Sequence, residues 1–410
     1  MTGSACRELS TELIHHAYTP PTGFKAPQPA VCKASTVFFP DVASMRQFEW
    51  KDKTAYTYGL HGTPTTYILE ERLCALEGGR QCLLVPSGLA AIATVSLALL
   101  KSGDEVLIPD NAYGPSKALA QGELARWGIS HHFYDAMRPQ DLAAKIGPKT
   151  CLVWLEAAGS VTLEFPDLCE QVRICKAAGV RCALDNTWGA GLAFKPFDLH
   201  PGAKSALAVD ISIHALTKYP SGGGDVLMGS IITLDETLHM TLKLCHMRLG
   251  LGVAGNDAEA VLRGLPSLKL RYQAHDEATR SLAQWCLTRA EFAQVLHPAL
   301  AQSPGHGHWG RLCQTGAGGA AGLFSVIFKP IFVQAQVDAF CDALQLFEIG
   351  YSWGGPVSLV MPYELATMRP VWPTYLQQGT LVRFSVGLEA VTDLQADLQQ
   401  ALKQLTRGCR

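Results

Sequence analysis

The sequence predicts an α/β protein: a mainly parallel sheet covered by helices on both faces, followed by a smaller C-terminal α+β domain. Three observations carry this. Short apolar runs alternate with helical patterns through the middle of the chain, the signature of strand–helix–strand units. The pattern changes near Leu265. At 410 residues, with 48% hydrophobic and 17% charged residues, the chain has material for a large core and more than one domain.

Residues 1–63 hold many prolines and little periodicity. They are expected to form an arm that contacts a neighbouring subunit. A sheet domain is expected over 64–264. Its first strand is the apolar run Cys82–Val85, followed by Pro86-Ser87-Gly88-Leu89 and a helix-forming run. Val106–Pro109 reads as a buried strand, and Pro115–Trp127 as a helix stopping near Gly128. Cys151–Leu155 is a strand ending in Glu156. Asp167–Ala178 is a helix with an acid in its first turn and Gly179 as its stop. Strands follow at Arg181–Leu184, Asp210–His214 and Val226–Thr233. A second domain is expected over 265–410, opening with a long helix Lys269–Val295. Short strands and one more helix, Gln334–Phe347, come after it.

A net charge of −2 gives no attraction to nucleic acid or an anionic membrane. The longest apolar run, Leu89–Leu100, is too short to span a bilayer. The N-terminus lacks a signal-peptide pattern, so a cytoplasmic protein is expected. The 13 cysteines run from Cys6 to Cys409 without a C-x-x-C pair and read as reduced, largely buried thiols. His15-His16, His131-His132 and His306-Gly307-His308 lack acidic or thiol partners at ligand spacing. They read as loop histidines, and no metal is assigned.

The chemistry gathers at strand ends, where ligands of parallel sheets bind. Lys218 lies in Thr217-Lys218-Tyr219-Pro220 just past a strand, and Asp185 ends another. An amine able to form a Schiff base and an acid able to hold a pyridinium proton are what pyridoxal 5'-phosphate needs from a protein. Ser87-Gly88-Leu89, between a strand and a helix, presents free backbone N–H groups to an anion, and Thr217 adds a hydroxyl. Gly316-Ala317-Gly318-Gly319 lacks a following Lys-Ser or Lys-Thr and reads as a flexible loop. Taken singly, Arg383 is an ordinary ion-pair residue, and Tyr58 and Tyr113 are packing aromatics.

Jointly and in this order, five segments resemble the Cys/Met-metabolism PLP-dependent enzyme family. They are the Tyr58–Thr65 stretch, Ser87-Gly88-Leu89-Ala90, Asp110–Gly114, Thr217–Asp225 and Leu381–Glu389. The resemblance runs from about Tyr56 to Leu388. Tyr351-Ser352-Trp353-Gly354-Gly355 is similar to the bacterial cystathionine β-lyase branch. The resemblance implies the aspartate-aminotransferase-like fold (fold type I) with a seven-stranded, mainly parallel sheet.

It also implies a carbon–sulfur β-lyase with these roles. Lys218 would carry the cofactor and act as base, Asp185 would hold the ring nitrogen, and Tyr113 would stack on the ring. Gly88, Leu89, Thr217 and Tyr58, the last from a partner chain, would take the phosphate. Arg383, with Ser352, Trp353, Tyr113 and Tyr58 around it, would bind the amino-acid substrate. A homo-oligomer is implied, a dimer at least and a tetramer by family habit. The chain departs from the family at Leu60, Ala215 and Val357, where arginine, serine and glutamate are usual. γ-Elimination, γ-replacement or racemisation on the same fold, and a non-catalytic regulatory protein, stay open as alternatives.

Overall fold

The structure is a computed structural model. It describes residues 8–405 apart from 52, 54, 202–205, 314, 315, 317 and 370. Cys6, Cys409 and Ala317 therefore lie outside the described residues. Seven strands form the larger sheet: β1 (Gln81–Val85), β2 (Glu105–Pro109), β3 (Ser130–Tyr134), β4 (Thr150–Glu156), β5 (Arg181–Asp185), β6 (Ile211–Ala215) and β7 (Gly229–Thr233). Their order is β1-β7-β6-β5-β4-β2-β3, and only β7 runs antiparallel to its neighbours.

Near-continuous apolar strands are required because both faces of this sheet are covered. Successive residues point to opposite faces. Leu84, Val153, Leu155 and Leu184 enter one core cluster, while Leu83, Leu152, Trp154 and Ala183 enter another. Each of these leucine and valine side chains, once buried, contributes about 1.5–3 kcal/mol. Side-chain caps set where the helices begin. Thr63 and Thr66 cap the helix Pro64–Glu77 reciprocally, and Asp167 accepts from the Glu170 N–H at the head of Leu168–Ala177. Ser87 accepts from the Ala90 N–H at 3.0 Å and starts the helix Gly88–Leu99. No helix of the described residues is long and apolar enough to cross a membrane.

The second sheet holds β8 (Phe292–Leu296), β9 (Leu323–Phe328), β10 (Glu348–Ile349), β11 (Leu359–Tyr363) and β12 (Leu381–Ser385), in the order β10-β11-β12-β9-β8. One face packs Phe324, Val326, Phe328 and Phe384 against the helices Leu268–Leu287, Gln334–Asp342 and Val391–Ala401.

Several sequence expectations need correction. The helix expected over Lys269–Val295 ends at Leu287, and Phe292–Leu296 is strand β8, paired with β9. The helix expected to reach Phe347 stops at Asp342. There the Asp397 carboxylate accepts from the Gln345 and Leu346 N–H groups. The Pro115–Trp127 segment is helical but winds as a π turn over Ala120–Leu124. The strand expected from Val226 starts at Gly229. His131 and His132 lie in β3, and His306-Gly307-His308 opens a helix, so neither is in a loop. The N-terminal segment, read as irregular, includes short helices Leu9–Ile14 and Val42–Gln47. All 11 described cysteines are free.

Candidate active site

The carboxyl ends of β4, β5 and β6 meet the second sheet at a cavity of about 620 Å³. Glu156 and Asp185 are the last residues of β4 and β5, and Lys218 lies three residues past the end of β6. Gly88 and Leu89 enter at the head of the helix after β1, Tyr113 precedes the helix Gly114–Leu119, and Arg383 projects from the middle of β12. Thr217, Ser352 and Trp353 also line the cavity. Nine of the ten residues singled out in the sequence thus share one space. Tyr58 does not line it; its side chain lies 46% exposed on the N-terminal segment.

The Lys218 Nζ donates to Ser352 Oγ at 2.6 Å and sits 5.6 Å from the Trp353 ring centroid. Ser352 takes a positive φ of 94°, a conformation costing a non-glycine residue about 1–3 kcal/mol. Burial, then repulsion from Arg383, lowers the Lys218 amine to about 8, against an opposing pull from Asp185. Burial raises the Asp185 carboxyl, while the Thr187 hydroxyl and N–H oppose that shift. Asp185 Oδ1 accepts from the Thr187 N–H at 3.0 Å, and Thr187 Oγ1 accepts from the Ala215 N–H at 2.9 Å. These bonds fix the carboxylate against β6.

Tyr113 is held by its own N–H, which donates to Glu156 Oε2 at 2.8 Å. Burial and the Asp185 and Glu156 carboxylates push its phenol upward, keeping it neutral. Glu156 is itself raised well above the usual range by burial and by Asp185. Arg383 Nη1 donates to the Ser160 carbonyl at 3.1 Å, and the guanidinium lies 5.2 Å from the Tyr363 ring centroid. The rest of its fork is open to the cavity. The chain reading did not single out Ser160, Tyr363 or Met368. Ser160 lies 223 positions from Arg383, and no local pattern signals that contact.

The residues fit pyridoxal 5'-phosphate. Among the described residues, neither the Gly88 nor the Leu89 N–H meets an acceptor, so an anion cradle stands ready at a helix N-terminus. A Cβ on Gly88 would come within 2.7 Å of Ala215 Cβ, so the backbone approach there is tight. Thr217 Oγ1 accepts from the Met228 N–H at 3.2 Å beside it. Among the described residues, the lysine and arginine side chains that line the cavity are Lys218 and Arg383.

With this geometry in place, comparison with known proteins assigns the class. The chain belongs to the Cys/Met metabolism PLP-dependent enzyme family, whose profile matches residues 10–403. It is similar to the cystathionine beta-lyase of Bordetella avium, 36% identical over 98% of this chain and 99% of that protein. It is also 33% identical to an L-alanine/L-glutamate racemase of Wolbachia pipientis, over 85% of this chain and 83% of the relative. Among solved structures, it matches a cystathionine gamma synthase of Xanthomonas oryzae bound to aminoacrylate and cysteine. That match has a TM-score of 0.86 and 28% identity, covering 98% of this chain and 100% of that one.

Proposed function

We propose that the chain is a carbon–sulfur β-lyase that uses pyridoxal 5'-phosphate to cleave L-cystathionine into homocysteine, pyruvate and ammonia. The observation that carries this is the convergence of the Lys218 amine, the Asp185 carboxylate and the Arg383 guanidinium on one cavity. Asp185 would accept a hydrogen bond from the ring N–H and so keep that nitrogen protonated, and Lys218 would be the amine that carries the cofactor. The Gly88 and Leu89 N–H groups and the Thr217 hydroxyl would hold the phosphate, joined by Tyr58 from a neighbouring copy. When bound, the group supplies an electron sink for the α-carbon.

The protein residues do the rest. Arg383 binds the substrate carboxylate through the open part of its fork. Lys218 Nζ, lowered to about 8, is the group placed to take the α-proton, and its free amine grows as pH rises toward and past that value. Tyr113 would stack on the ring and face the substrate amine, while Ser352 restrains the Lys218 amine and Trp353 walls the cavity. The C–S bond breaks, its electron pair leaves with sulfur as homocysteine thiolate, and the three-carbon remainder hydrolyses to pyruvate and ammonia. We read the enzyme as cytoplasmic, in methionine biosynthesis, and as a homo-oligomer with sites shared between subunits.

Racemisation is a second reading, favoured by the similarity to the Wolbachia racemase. Both reactions begin with loss of the α-proton. Mass spectrometry of the products from L-cystathionine decides between them. Pyruvate with homocysteine supports β-elimination, 2-oxobutyrate with cysteine replaces it with γ-elimination, and a D-amino acid alone replaces it with racemisation. The purified protein should be yellow, and Lys218→Ala should lose that colour and all turnover. A wild type that stays colourless with added cofactor would sink the enzyme reading.

A further inference from the structure

Arg369 is a buried cation outside the cavity, 5% exposed, in a segment that the reaction scheme leaves without a role. It follows the short helix Leu365–Met368, whose last residue lines the cavity. Its Nη2 donates to Glu164 Oε1 and to Thr162 Oγ1, and its Nη1 donates to the Tyr375 hydroxyl at 3.0 Å. Tyr375 in turn donates to Glu164 Oε1 at 3.0 Å, and Asp110 lies 4.0 Å from Nη1. Lys117 Nζ ties the same segment down through the Met368 and Asp110 carbonyls. A fully buried Glu164 would be costly without this cation.

Glu164 is not a remote anchor. Its backbone carbonyl accepts from the Gly159 N–H at 3.0 Å, and its carboxylate lies so close under Gly159 that a Cβ there would meet Oε2 at 2.9 Å. The next residue, Ser160, receives its own support from Asn111, whose carbonyl accepts its N–H at 3.1 Å. The Ser160 carbonyl is the group that accepts from Arg383 Nη1. One contiguous path therefore leads from Arg369 through Glu164 and Gly159 to the carbonyl that aims Arg383. The Val161 carbonyl, accepting from Ser325 at 2.6 Å, pins the loop to the residue opposite Arg383 across β9 and β12.

We propose that Arg369 is a positioning residue for substrate binding: by clamping Glu164 it fixes the loop whose Ser160 carbonyl orients the Arg383 guanidinium. The inference rests on the reading of Arg383 as the carboxylate-binding group. An ion pair that only ties the two sheets together would lower stability when broken and leave binding alone. A positioning role moves the binding of carboxylates and little else, since a small misplacement of a binding group is felt strongly.

The test uses the holoenzyme with Arg369→Lys, which keeps the charge but loses the fork, and Tyr375→Phe, which loses one hydroxyl and keeps the ion pair. Arg383→Lys is the control. The readouts are KM and kcat for L-cystathionine, and the affinity for 3-(methylthio)propionate, a carboxylate without an amine, read from the cofactor's visible absorbance. For Arg369→Lys, KM and the dissociation constant of the carboxylate should both rise about tenfold, with kcat changing less. Tyr375→Phe should move both in the same direction by less. Unchanged carboxylate affinity in both variants, with a lowered Tm, overturns the proposal. So does a raised KM without weaker carboxylate binding. If Arg383→Lys also leaves the carboxylate affinity unchanged, the reading of Arg383 itself fails, which separates the two failures.

Discussion

A lysine that must attack an aldehyde has to lose its proton first. At Lys218 burial disfavours the ammonium, and the Arg383 cation adds repulsion, so the amine is lowered to about 8. The sign is fixed: below about 8 the amine is protonated and inert, and above it the amine is free. The apoprotein should take up pyridoxal 5'-phosphate at a rate that rises with pH and levels off past about 8, measured by growth of the visible absorbance. Arg383→Met removes the repelling cation and should shift that midpoint upward. An unchanged midpoint would show that burial alone sets it. At this scale the sequence was informative where a residue type carries its chemistry and a strand end carries its position, as for Lys218 and Asp185. The Arg369, Glu164 and Ser160 path was not legible, because its partners are separated by about 200 positions and meet only through folding.

Elements carry the site through close backbone approach. The helix Gly88–Leu99 docks its first turn directly on the end of β6, where a Cβ on Gly88 would meet Ala215 Cβ at 2.7 Å and Cα at 3.2 Å. Gly88→Ala must therefore shift the helix head or the strand end. Overpacking of this kind costs about 1–3 kcal/mol, and here it displaces the very N–H groups proposed to hold the phosphate. The variant should fold, melt lower and bind the cofactor about tenfold more weakly in an absorbance titration of the apoprotein, the equivalent of about 1.4 kcal/mol. Wild-type affinity would mean that the cradle lies elsewhere. Strand–helix alternation made the larger sheet readable. The helix overrun into β8 arose because Thr288-Arg289-Ala290-Glu291 contains no glycine or proline to mark the stop. The early end at Asp342 depends on Asp397, 55 residues further on, and a short window holds no trace of it.

At the scale of the whole molecule, the N-terminal segment is the part a single chain explains least. It exposes Phe38 at 91%, Phe24 at 64% and Tyr58 at 46%, aromatic area that a water-facing arm has no reason to carry. Among the described residues, no lysine or arginine besides Lys218 and Arg383 lines the cavity that holds the Gly88 and Leu89 cradle. Both features are met if the arm of one copy packs on another and brings Tyr58 to its cavity, in an isologous dimer or a pair of such dimers. Light scattering on the eluting protein should then give at least twice the chain mass. Subunits carrying Lys218→Ala lack the amine, and subunits carrying Tyr58→Ala lack the donated phenol, so each homo-oligomer is crippled. In a mixed dimer both lesions fall in one site, and the other site is assembled from an intact Lys218 and an intact Tyr58. Random reassortment of equal amounts should restore about a quarter of wild-type activity, because half the dimers are mixed and each has one sound site. No recovery, with mixed oligomers demonstrated by mass, would mean that each chain builds its site alone and that the exposed arm serves another purpose.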